Sequence, residues 1–172
     1  MKNLNHERLI EKSRKRSTTR RMYLLIAIIM IANFALVTTS FASNDQGVLN
    51  SVAIEMKNSA ATANEVATAL NNAYNATEEE AVKALKAAEY EVEEVAAVIK
   101  DAYNESTKGA AKLLKKAGYG AKSIAKALDS AYKASAKSIA KALKSAGYGF
   151  SKVISALNSI GKSIGSWINK IF

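Results

Sequence analysis

The strongest chemical signal in this chain is a run of nine lysines. Lys112, Lys115, Lys116, Lys122, Lys126, Lys133, Lys137, Lys141 and Lys144 recur at helical spacing, and the only acid among them is Asp129. An ammonium group is a compact point charge and not a planar fork. The run therefore points to diffuse attraction to an anionic membrane, a cell-surface polymer or extracellular nucleic acid, and away from bidentate recognition of bases. Sequence-specific nucleic-acid binding is not expected. The same lysines are also what a solvated helical face would carry.

Other chemistry is poorly provided for. The chain has no cysteine and one histidine, His6, which lies in its basic leader. Beyond the leader there is no thiolate and no imidazole to act as nucleophile, proton shuttle or soft metal ligand. We therefore expect no enzyme, no metal and no cofactor. The acidic clusters Glu78–Glu80 and Glu91, Glu93, Glu94 read as helix starts, where carboxylates favour the helix dipole. Asn75-Ala76-Thr77 and Asn104-Glu105-Ser106 match a glycosylation sequon, and turn chemistry explains them equally well.

The elements that carry these residues repeat. Tyr74, Tyr90, Tyr103, Tyr119, Tyr132 and Tyr148 are separated by 16, 13, 16, 13 and 16 residues, and AKSIAKAL occurs unchanged at Ala121–Leu128 and Ala136–Leu143. A fixed period marks a repeat architecture. Residues 43–61 form a lead-in and half repeat, and 62–148 hold three 29-residue units. Residues 149–172 are a degenerate fourth.

Each unit holds two apolar patterns at i, i+1, i+4 and i+7. Val66, Ala67, Leu70, Ala73 recurs as Val95, Ala96, Ile99, Ala102 and as Ile124, Ala125, Leu128, Ala131. That spacing puts each set on one helical stripe. Gly118-Tyr119-Gly120 and Gly147-Tyr148-Gly149 read as helix stops. Asn75 and Asn104 read as left-handed stops, Thr77, Ser106 and Ser135 as N-caps, and Thr77–Glu80 as a capping box. With no proline in the chain, the expected fold is all-α: tandem helix-turn-helix units forming an α-solenoid-like or compact helical array. The half-unit is close to four helical turns, so periodicity alone allows either short stacked helices or a few longer ones. The stripes are rich in alanine and narrow, so each helix depends on its neighbours.

The pattern ALKSAGY at Ala142–Tyr148, with looser forms at Ala84–Tyr90 and Lys112–Tyr119, resembles tandem helical repeats of some large secreted bacterial proteins. The resemblance covers the array and departs at Glu89, where glycine would stand. It implies a helical, extracellular, non-catalytic repeat and no particular ligand.

Two ends differ from the array. Residues 1–42 combine a basic leader ending Thr19-Arg20-Arg21, an apolar run over Met22–Val37, and small residues at Ser40 and Ala42. This is the pattern of a secretory signal peptide cleaved after Ala42, with an uncleaved anchor as the alternative. We expect a secreted or cell-surface bacterial protein. Residues 150–172 carry three lysines and no acid, with apolar Phe150, Val153, Ile154, Leu157, Ile160, Ile164, Trp167, Ile168 and Phe172. That is the composition of a cationic amphipathic helix lying in a membrane interface, as in bacteriocin-like peptides. The competing reading is a capping unit, since Val153, Ile154 and Leu157 keep the repeat register. Charge is polarised along the chain: residues 43–105 hold twelve acids and four lysines, and 106–172 hold thirteen lysines and one acid. Attraction between copies is a further expectation.

Overall fold

The computed structural model describes residues 45–172, and the signal peptide expected over residues 1–42 lies outside them. Among the described residues there are eight α-helices and one short 3-10 helix, and no strand. In order they are α1 (Gln46–Asn58), α2 (Ala63–Tyr74), α3 (Glu78–Ala87), α4 (Val92–Asp101), α5 (Thr107–Lys116), α6 (Ala121–Tyr132), α7 (Ala136–Ser145) and α8 (Phe150–Ser159), followed by the 3-10 helix Ser166–Lys170. The chain is therefore all-α, with short helices separated at every junction.

The breaks follow from local chemistry. Asn75, Asn104 and Lys133, spaced 29 residues apart, each take a left-handed φ of 50–53° and end α2, α4 and α6. Asparagine tolerates that region, whereas lysine is strained there. The alternate stops are Ala60, Glu89, Gly118 and Gly147, again 29 apart, with φ of 61°, 58°, 83° and 81°. Glycine fits this slot at two positions, and alanine and glutamate are forced into it at the other two. Thr77, Ser106 and Ser135 accept from the backbone N–H three residues on, as N-caps should. The Thr77–Glu80 capping box closes reciprocally: the Glu80 N–H donates to Thr77 Oγ1 and the Thr77 N–H to Glu80 Oε2.

Each helix packs on the next and on the next but one. One row therefore runs α1, α3, α5, α7 and then the 3-10 helix, and a second row runs α2, α4, α6, α8. The core lies between the rows and is a continuous string of small and branched side chains. Leu49, Met56, Leu70, Leu85, Ile99, Leu114, Ile124, Leu128, Ile139, Leu143 and Leu157 are fully buried, with alanines between them. Among the described residues no charged side chain is buried as a whole. This core, among the described residues, runs from Leu49 to Ile168. Ala73 and Ala102, expected on the apolar stripes, are exposed in the structure. They fall beside the stops at Asn75 and Asn104, where the chain turns away.

Residues 150–172 do not form one helix. The α8 helix ends at Ser159, Gly161 takes a φ of 65°, and a separate 3-10 helix follows at Ser166–Lys170.

Candidate functional site

A ladder of lysines joins successive units. Lys57, Lys86, Lys115 and Lys144 lie 29 residues apart, and each holds its ammonium 4.9–5.2 Å from the centre of an aromatic ring: Tyr90, Tyr119, Tyr148 and Phe172. Each also donates to carbonyls at the end of the next helix in its row. Lys86 reaches Ala117 and Gly118, both at 2.8 Å, and Lys115 reaches Ala146 at 2.6 Å and Gly147 at 3.3 Å. Lys57 reaches Glu89, and Lys144 reaches Ile171. A cation at a helix C-terminus stabilises the unpaired carbonyls and the dipole there, and the ring face adds a cation–π contribution. The tyrosine hydroxyls reach back by the same period: Tyr90 donates to the Ala61 carbonyl and Tyr148 to that of Tyr119, both at 2.7 Å. The Tyr119 hydroxyl is the exception, buried with no hydrogen-bond partner among the described residues. Burial pushes Tyr90, Tyr103 and Tyr119 up to about 12, with nearby carboxylates adding to the effect.

Ion pairs also link one unit to the next. Glu79 sits between Lys83 at 2.8 Å and Lys116 at 2.7 Å. Lys116 first and then Lys83 hold the Glu79 carboxyl down to about 2. Glu93 meets Lys126 at 2.5 Å, and Asp129 meets Lys162 at 2.7 Å.

These contacts divide the nine candidate lysines. Lys115 and Lys144 are rungs of the ladder, and Lys116 and Lys126 are paired with acids of the preceding unit. Lys112, Lys122, Lys133, Lys137 and Lys141 are exposed and make no ion pair or hydrogen bond among the described residues. Lys108, one period before Lys137, belongs with them. The period-29 alignment shows why these are unmatched. Where the first unit has Glu79 and Lys83, the later units have Lys108 with Lys112 and Lys137 with Lys141. Where the second has Glu93, the third has Lys122. A salt-bridged surface upstream becomes a surface of like charges downstream.

The apolar candidates near the C-terminus divide too. Val153 and Leu157 are fully buried and Ile168 is nearly so. Ile154, Ile160, Ile164 and Trp167 are half-buried against the core. Phe150 and Phe172 are 45 % and 41 % exposed and meet edge to face at 5.3 Å. An open hollow of about 530 Å³ beside α8 is lined by Lys122, Ser151, Ile154, Ser155, Asn158 and Ser159. Among the described residues no helix is long and apolar enough to cross a membrane, and no group of three His, Cys, Asp or Glu side chains could hold a metal ion.

The described residues thus define an all-helical array in which lysine rungs join the alternate helices α1, α3, α5 and α7. No family model, curated protein or solved structure matches it.

Proposed function

We propose that this is a secreted, non-enzymatic helical-repeat protein, an α-solenoid whose C-terminal half binds an anionic surface or polymer. The observation that carries this reading is the replacement of Glu79 by Lys108 and Lys137 at equivalent positions. It removes the intramolecular partner of the lysines one turn later and leaves Lys108, Lys112, Lys137 and Lys141 facing solvent together. Like charges at i and i+4 repel, so an external anion relieves a cost as well as gaining attraction. Lysines without arginine suit a ligand recognised by charge density, such as an anionic lipid headgroup or a phosphate-rich polymer.

The test uses the chain from residue 43, with vesicles of anionic or zwitterionic lipid and with long-chain polyphosphate as probes. Binding to the anionic probes is expected, weakening steeply with salt. Lys108→Glu with Lys137→Glu restores the upstream pairing, and should weaken binding at least tenfold with helicity unchanged. Absence of binding to every anionic probe at low salt would refute the proposal.

The exposed rings of Phe150 and Phe172 support a second reading, a membrane-active protein working through residues 150–172. It requires Val153 and Leu157 to leave the core. Dye leakage from anionic vesicles, lost when residues 150–172 are removed, would favour it; intact vesicles would eliminate it.

A further inference from the structure

We infer that the tail after α8 is a plug, and that the slot it fills is where α1 and α2 of a second copy of this chain dock head to tail. The inference rests on the repeat-stack part of the reading above and is independent of anion binding.

The tail stands where a fifth member of the first row would stand. Lys144 donates to the Ile171 carbonyl and faces the Phe172 ring, as Lys115 does to Ala146 and Tyr148. The 3-10 helix packs on α7, and Ile168 is 5 % exposed. Yet this stand-in is a 5-residue 3-10 segment where α3, α5 and α7 are 10-residue helices. It closes the first row and leaves the second row open at α8.

Period-29 equivalents show which faces are open. At the C-terminal end Phe150 is exposed, whereas Ala63 and Val92 at the same repeat position are buried. Ile154 is half-buried, whereas Ala67, Ala96 and Ala125 are covered. At the N-terminal end Glu55 is exposed where Ala84 and Ala142 are fully buried. Ala69 is part-exposed where Val98, Ala127 and Ala156 are covered. Among the described residues both ends therefore lack the neighbours that interior units have, and each offers what the other lacks. Charge favours the same join. Asp45, Glu55 and Glu65 mark the N-terminal end, and Lys144, Lys152 and Lys170 the C-terminal end. A heterologous contact of this kind adds copy to copy, as an open chain or, where the rotation between copies closes, as a ring. A plug at one end is what would hold the protein as a monomer.

The test is sedimentation velocity on three forms of the chain from residue 43. The untruncated form is expected to stay monomeric. A form ending at Lys162, which keeps the Asp129 ion pair, should give a concentration-dependent ladder of oligomers. Adding Ala69→Arg to that shorter form blocks its α2 face and should return it to a monomer. Mixed with the untruncated chain, whose α1–α2 end is free, this blocked form should make a 1:1 complex. The inference is overturned if the shortened chain stays monomeric, or if it associates regardless of Ala69→Arg. Should the shortened chain lose its helicity, Lys144→Met with Ile168→Ser and Phe172→Ala releases the plug from the slot while keeping every residue of the chain. That variant must then show the same oligomer ladder, and a monomer would reject the inference. Failure of every anionic probe to bind would leave these outcomes unchanged.

Discussion

The Lys115 ammonium lies 4.9 Å from the centre of the Tyr148 ring and donates to the Ala146 carbonyl at 2.6 Å. One side chain thereby ties α5 to the end of α7, and a lysine that would be counted as ligand-binding is spent inside the fold. Lys115→Met keeps the apolar stem and removes the charge. It should cost about 1 kcal/mol of stability, the size of an exposed cation–π contact together with a helix-end cation. Affinity for anionic probes should hardly change. Lys112→Met should do the reverse, and thermal melts run beside binding titrations separate the two.

Tyrosine hydroxyls at one repeat position should answer differently to the same change. Tyr90→Phe removes a buried donor to the Ala61 carbonyl and should destabilise by about 1 kcal/mol, the net worth of a typical hydrogen bond. Tyr119→Phe removes a buried hydroxyl that has no partner among the described residues, and stability should hold or rise. Denaturant melts of the two variants with equal slopes would measure the difference.

Glu89 occupies the left-handed slot that Gly118 and Gly147 fill elsewhere. Glu89→Gly should stabilise by about 1 kcal/mol by removing the Cβ clash, with the Lys57 rung retained because it uses the carbonyl of residue 89. Gly118→Ala should destabilise, since an added Cβ would come within 2.9 Å of Lys86 Nζ at a φ of 83°. If both variants melted like the parent, the slot would not be strained.

Stability should fall on both flanks of pH for different reasons. Tyr90, Tyr103 and Tyr119 are pushed from 10.0 up to about 12 by burial. The unfolded chain ionises first, so their contribution is intact below pH 10 and is lost as pH rises to about 12. Absorbance at alkaline pH should show tyrosine ionisation coinciding with loss of helicity. Glu79 is held down from 4.5 to about 2 by Lys116 and Lys83. Its contribution is present above pH 4.5 and disappears as pH falls through about 2, and Glu79→Gln should flatten that acid limb.

Much of this was legible in the residues. The 29-residue period, the stops at Asn75, Gly118 and Gly147 and the caps at Thr77, Ser106 and Ser135 are local matters, set by side chains a few positions apart. The lysine ladder was equally periodic at 57, 86, 115 and 144, but its meaning depends on where the next helix ends. Lysine spacing alone cannot separate a rung such as Lys115 from an outward charge such as Lys112. Ala73 and Ala102 had the right phase and are still exposed, because phase fixes a direction and not whether a neighbour reaches that far. The amphipathic run after Phe150 reads as one helix until Gly161 turns left-handed.

The rungs also mean that chain length is adjustable in fixed steps. Excising residues 91–119 would bring Tyr148 to the place of Tyr119, within reach of Lys86, and the severed link would re-form with an identical partner. Duplicating the same stretch would lengthen the molecule by one link without creating a new kind of joint. Such a chain can be cut or extended like a ruler, and its reach can change while each lysine rung stays the same.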